Sequence, residues 1–135
     1  MAFFDWKEEY NVNIREIDNQ HQKLVSMLNG LYESLKKGEG LEALGTTLSE
    51  LASYTKTHFA TEERLMKRHG YPEYLSHKDK HERMTNKVIE YLQKYEAGEI
   101  RSPIEISNFL KDWLKKHIMQ TDMGYSAFLN GKGVS

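Results

Sequence analysis

The chain has 135 residues, a net charge of -1 and no cysteine. A single domain over residues 1–135 is long enough to bury a core; the near-neutral charge gives no footing for nucleic acid or an anionic membrane surface, and the missing cysteines exclude disulfides, thiolate ligands and a cysteine nucleophile. The first ten residues lack the basic lead and apolar run of a signal peptide, and no stretch approaches the ~18 uninterrupted apolar residues of a membrane span, so a cytoplasmic protein is expected.

Residues 1–17 carry Phe3, Phe4, Trp6, Tyr10, Val12, Ile14 and Ile17 with little helical phase, which predicts an extended arm laid over the body. Asp18 is the candidate cap of a first helix whose apolar stripe runs Leu24, Leu28, Leu31, Leu35, with His21 in phase and therefore inward, and with Gly38 and Gly40 as its stop. A second helix carries Leu44, Leu48, Leu51, Thr55, His58, Glu62 and Leu65 down one face, although Gly45, Thr46 and Thr47 open it weakly. His69 falls out of phase beside the Gly70 stop and reads as a surface or capping residue.

A third helix, with Pro72 in its first turn, presents Tyr74, His77, His81, Met84, Val88, Tyr91 and Tyr95 and stops at Gly98. Ser102-Pro103-Ile104-Glu105 is a capping box that starts a fourth, with Ile106, Leu110, Trp113 and His117 on its buried face. The tail, 123–135, is expected to fold back through Tyr125, Phe128 and Leu129 before fraying. Short connections make neighbours antiparallel, so the fold class is all-α: an up-down-up-down antiparallel four-helix bundle over about 18–122, with an extended N-terminal arm.

In that bundle His21, near the start of the first helix, His58 and Glu62 late in the second, His77 and His81 early in the third, and His117 late in the fourth all come to the same end. His58/Glu62 and His77/His81 are each four residues apart, so each pair shares a helix face one turn apart. A lone histidine on an apolar face is ordinarily a hydrogen-bonded core residue. Five with a glutamate in one layer would cost on the order of 1–3 kcal/mol for each group left unpaired, so a metal centre is the better reading. Six or more nitrogen and oxygen donors exceed what tetrahedral zinc takes and suffice for two ions. Asp122 is a further carboxylate, but five residues after His117 it lies about 140° away on a regular helix, and it joins only if the helix distorts or ends there.

These residues resemble a known pattern. His21, His58-x-x-x-Glu62, His77-x-x-x-His81 and His117-x-x-x-x-Asp122, with Ile17-Asp18-x-Gln20-His21 ahead of the first, resemble the hemerythrins, specifically the single-domain bacterial ones, from Trp6 to about Leu129. The resemblance implies a non-haem diiron centre, oxo- or hydroxo-bridged, that binds O2 reversibly. It implies that His77, His81 and His117 saturate one iron, that His21 and His58 hold the other with one position open, and that Glu62 and Asp122 bridge. It also implies an O2 pocket lined by Leu24, Phe59, Trp113, Leu114 and Ile118. Two departures, Asn13 where many relatives have glycine and Met123 where lysine is frequent, fall outside the ligands.

No glutamate stands three residues before any histidine, so the Glu-x-x-His pairs of ferritin-like diiron proteins are absent. Five neutral imidazoles against two carboxylates favour ferrous iron and reversible binding over oxidative chemistry, and an apolar wall excludes water. Expected ligands are O2 and small molecules such as nitric oxide or azide. Carriage, storage or delivery of O2 is the leading function and no enzyme is expected. The alternatives are a sensor signalling through a separate protein partner, and a weak peroxidase or nitric oxide scavenger. Because a metal-bound histidine is unprotonated, acidification through about 6.5 should favour metal loss.

Overall fold

The computed structural model describes residues 3–38 and 40–135, with the side chains of residues 40, 120 and 121 outside the description. Met1, Ala2 and Glu39 lie outside the described residues, and with them the first two positions of the expected arm.

Four long rods form an up-down-up-down antiparallel bundle. Helix α1 spans Arg15–Lys36, α2 Gly40–Arg68, α3 Tyr74–Glu96 and α4 Pro103–Lys116; a π-helical segment, His117–Asp122, then runs without a break into α5, Met123–Gly131. Helices α1 and α2, α2 and α3, and α1 and α4 pack closely, whereas α3 and α4 approach each other less. The expected stripes are inside: Leu24, Leu28, Leu31, Leu44, Leu48, Leu51, Met84, Val88, Ile106 and Leu110 form a continuous apolar core. Trp113, expected on the buried face, is half-buried, and its neighbour Leu114 takes the fully buried place.

Several boundaries differ from the sequence expectation. Helix α1 begins at Arg15 after Ile14, whose side chain caps nothing. Asp18 lies inside the first turn, and its carboxylate accepts from the Val12 N–H at 2.7 Å, tying down the arm rather than capping the helix. Gly40 opens α2 instead of ending α1. Pro72 and Glu73 belong to the turn before α3, which starts at Tyr74. That turn is set by Gly70 at φ +71°, the left-handed region, with Tyr71 N–H on Met66 O and Gly70 N–H on Lys67 O. His69 sits half-buried at this stop. The capping box is as expected, with Ser102 Oγ accepting from Glu105 N–H. Gly45, a weak helix former, is explained by packing: a Cβ there would run into the Tyr95 ring.

The tail does not fold back. It continues the fourth rod as α5, because Tyr125 and Leu129, four residues apart, are both fully buried against the arm's Val12, Ile14 and Ile17 and against Met66. The arm is held at both ends: Phe4 exchanges two hydrogen bonds with the Asn29 amide, and Ser126 Oγ donates to Val12 O at 2.6 Å. Within it a short 3-10 turn, Glu8–Tyr10, interrupts the extended path. Asn13 has φ 62°, the left-handed region that glycine and asparagine both tolerate. The described residues thus form two apolar clusters, the long bundle core and the arm–α5 cap.

Candidate metal centre

Each helix delivers its share of the site through its own periodicity. His58 and Glu62 lie one turn apart on α2, and His77 and His81 one turn apart on α3, so each pair projects from one face. His21 comes from α1, and His117 and Asp122 from the two ends of the π-helical segment. Hydrogen bonding from i to i+5 widens the turn, which brings a residue five positions on to nearly the same face. This resolves the misfit of Asp122 with a regular helix. All seven side chains are buried, His77 and His117 the most exposed at 4%.

The donor atoms form two overlapping groups. Those of His21, His58, Glu62, His117 and Asp122 lie within 4.8 Å of one another, and so do those of Glu62, His77, His81, His117 and Asp122. Both carboxylates and His117 are common to the two. Asp122 Oδ2 meets His21 Nε2 at 2.6 Å and His117 Nε2 at 2.9 Å, while its Oδ1 is 3.0 Å from His77 Nε2. Glu62 Oε1 is 2.8 Å from His58 Nε2, 3.2 Å from His117 Nε2 and 3.5 Å from His81 Nε2.

His21 Nε2 with Asp122 Oδ2 and His117 Nε2 with Glu62 Oε1 have hydrogen-bonding geometry, but for the rest proximity is not hydrogen bonding. The Nε2 atoms of His58, His77 and His81 and Oδ1 of Asp122 are buried with no hydrogen-bond partner, which in an ordinary core costs about 1–3 kcal/mol each. The outward nitrogens explain why. His58 Nδ1 is 2.7 Å from Gln20 Oε1 and His81 Nδ1 is 2.9 Å from Glu63 Oε2, acceptors that fix the proton on Nδ1 and leave an Nε2 lone pair aimed inward. Lone pairs facing carboxylate oxygens demand a cation between them, whether a proton or a metal. The residues therefore fit a metal centre.

With protons as the only cations, the titration is strongly displaced. For His58 burial works to lower the pKa, but Glu62 and Asp122 outweigh it and raise it to about 9. His117 is opposed by burial in the same way and raised by Asp122 and Glu62 to about 10. At His21 burial dominates over Asp122 and the pKa falls. Burial and mutual repulsion oppose ionisation of the carboxylates, yet His58 and His117 hold Glu62 well below the usual range, and His117 with its neighbours does the same for Asp122.

Three partners were not singled out as site residues by the sequence. Gln20, which also donates to Thr61 Oγ1 at 3.2 Å, appears only within the motif ahead of His21; Glu63 follows Glu62 but reaches His81 across the α2–α3 interface; and Tyr125 donates to Glu62 Oε2 at 2.6 Å. Each reaches a partner on another helix, so no local spacing announces the contact.

Of the expected pocket residues, Leu24, Phe59, Leu114 and Ile118 are buried in the bundle core and Trp113 packs against it. Phe59 stacks flat on His81 with ring centroids 3.8 Å apart, and Trp113 stacks on His117 at 4.9 Å. Phe59 is also 5.8 Å from His58, so it stands against both donor groups.

Comparison with known proteins agrees with this geometry. The family model for the hemerythrin HHE cation binding domain matches residues 12–129. The chain is 38% identical over 125 residues to a bacteriohemerythrin of Pseudomonas aeruginosa, covering 93% of this chain and 80% of that one. It is 30% identical over 131 residues to a bacteriohemerythrin of Methylococcus capsulatus, covering 96% and 99%. A crystal structure of wild-type hemerythrin superposes with a TM-score of 0.87 at 29% identity, over 95% of this chain and 98% of that one. Bundle, buried histidine–carboxylate layer and matched family model together place the chain in the hemerythrin family.

Proposed function

We propose that this protein binds O2 reversibly at a non-haem centre of two iron ions, as a carrier, store or delivery protein. The observation that carries the reading is the pair of overlapping donor groups sharing Glu62, His117 and Asp122, each group within 4.8 Å. Glu62 and Asp122 would be held in common, His77, His81 and His117 would hold one ion, and His21 and His58 the other. The bound iron pair would supply reversible electron exchange with O2.

The chain's own residues do the rest. Gln20 and Glu63 orient His58 and His81 through their Nδ1 atoms, and Tyr125 orients Glu62. Leu24, Phe59, Leu114 and Ile118 form a dry wall, which keeps water and protons from reaching bound ligand. The hydroxyl beside the carboxylates is not a free proton donor: Tyr125 is engaged with Glu62, and its hydroxyl pKa is pushed well above the ordinary tyrosine value by burial and by the two carboxylates. That favours binding over turnover, and with it O2, nitric oxide or azide as the class of ligand.

The test is to mix anaerobically reduced, iron-loaded protein with O2 and then remove the O2. Full spectral reversal is the expected outcome; rapid irreversible oxidation with substrate turnover would replace carriage with an enzyme. No described helix is long and apolar enough to cross a membrane.

A further inference from the structure

We propose that the groove between α3 and α4 binds a small amphipathic organic anion, with a flat aromatic body and a carboxylate, sulfonate or phosphate at its edge. The groove has a volume of about 400 Å³, at the small end of the usual range for organic ligands. It exists because α3 and α4 pack less closely than the other neighbouring helices. Towards their shared loop, Tyr91 and Phe109 meet edge to face at 5.6 Å and close it.

Its floor is apolar and aromatic: Met84, Phe109, Trp113 and the edge of His117. Its rim is cationic: Lys80, Arg83 and Lys87 from α3, and Lys116 from α4. The spacings place these residues on one face of each helix, so the arrangement follows from the fold. Among the described residues no carboxylate lines the groove. Arg83 pairs with Asp79 and Lys87 with Glu90, both at exposed positions, while Lys80 and Lys116 make no ion pair among the described residues. In a chain of net charge -1 this is a local excess of positive charge.

Charge and shape together select the occupant. An inorganic anion would leave the aromatic floor uncovered, whereas an apolar ligand would leave the cations unused. A planar anion can lie on Trp113 and Phe109, with its charged edge between Lys80 and Lys116. Trp113 stacks on His117, so an occupant also touches a residue of the metal layer through one ring.

The probe is 8-anilinonaphthalene-1-sulfonate, titrated into iron-loaded protein and followed by dye emission and by calorimetry. One dye per chain is expected, with a dissociation constant in the micromolar range. The double variant Lys80→Glu/Lys116→Glu is expected to weaken binding by about tenfold or more. Lys115→Glu, an exposed change outside the groove lining, is expected to leave it within about twofold. Iron content and far-ultraviolet circular dichroism of each variant establish that the fold and the metal centre are intact, so failure here is separable from failure of the iron reading. Equal loss in both variants would reduce the effect to net charge and overturn the proposal. So would more than one dye per chain, or displacement of the dye by millimolar inorganic phosphate. Should the double variant fail to fold, wild-type binding that is unchanged between low salt and 0.5 M salt, a level of ~0.5 M at which surface charges are strongly screened, overturns it as well.

Discussion

The Tyr125 hydroxyl donates to Glu62 Oε2 at 2.6 Å, with both side chains at 0% exposure. The bond joins α5, beyond the fourth helix of the bundle, to a carboxylate on α2. It makes the arm–α5 cap part of the metal centre's support. Tyr125→Phe removes only this donor and keeps the ring beside His77. Loss of a hydrogen bond to a charged group costs about 1.5–3 kcal/mol, and outer partners of metal ligands are worth about 10–100-fold in affinity. The variant is expected to fold, with metal affinity lowered at least about tenfold in chelator competition; unchanged affinity would remove Tyr125 from the site.

Glu63→Gln should act through His81. The amide still accepts from Nδ1 at the 2.9 Å contact but no longer carries charge. Binding to the His77/His81 side should weaken modestly, whereas Glu63→Ala should weaken it about 10–100-fold. Titration with Co(II), read by absorption, separates the two variants, and equal behaviour would show that the charge rather than the hydrogen bond sets the affinity.

The metal-free protein should lose stability as pH rises from neutral. His58 and His117 have pKa values raised to about 9 and about 10, so their contribution is full below the unfolded value of about 6.5 and is lost as pH climbs through those raised values. Glu62 and Asp122, held low, act in the acid range: their contribution is present above the ordinary carboxylate range and lost as pH falls through their depressed values. His21, lowered by burial, adds to the acid-side loss: its neutral form is favoured in the folded state, so stability falls as pH drops below the unfolded value of about 6.5 towards its lowered value. Metal competes with the protons on His58 and His117, so the gain in melting temperature on metal loading should widen between pH 7 and pH 10, the window set by those values. Melting curves of chelated and loaded protein test this; a metal-free protein that grows more stable over that range contradicts it. The window for proton competition thus lies above the 6.5 of a free histidine.

The π-helical segment invites a deletion. Removing Met119, which is 37% exposed, should turn His117–Asp122 into regular α-helix while leaving α5 in register, because such a segment is one extra residue in a helix. The aspartate then stands four residues after His117, about 40° round a regular helix, so it stays on the metal face. The metal-free variant should melt no lower than wild type and keep most of its metal affinity; loss of binding would show that the aspartate needs the position the widened turn gives it and not its face alone.

The bundle and most of the site were legible in the sequence because both rest on periodicity. His58/Glu62 and His77/His81 announce themselves at a spacing of four, and antiparallel packing alone brings them level with His21 and His117. Asp122 was ambiguous because no local pattern signals a π-helical turn. Glu63 and Gln20 were hidden because their partners lie 18 and 38 positions away, set by the register between helices. The start of α1 was misplaced because Ile14 offers no capping side chain, while Asp18, which looks like a cap, serves the Val12 N–H instead. The helical tail was missed because its apolar positions bury against the arm, a partner about 110 residues earlier in the chain.

Leu114→Ala and His77→Ala separate wall from ligand. Leu114 is 1% exposed and belongs to the apolar core, so its truncation should cost roughly 2–5 kcal/mol of stability, keep the iron and speed autoxidation. His77→Ala should lower the iron content. Equal iron loss in both would erase the distinction.

The most direct measurement is the iron content of wild-type protein reconstituted anaerobically with ferrous iron and freed of excess. Seven buried donors in two overlapping groups should retain two iron ions per chain, falling towards one in His77→Ala. Retention of a single ion by wild type, or of two by the variant, would contradict a shared two-ion centre.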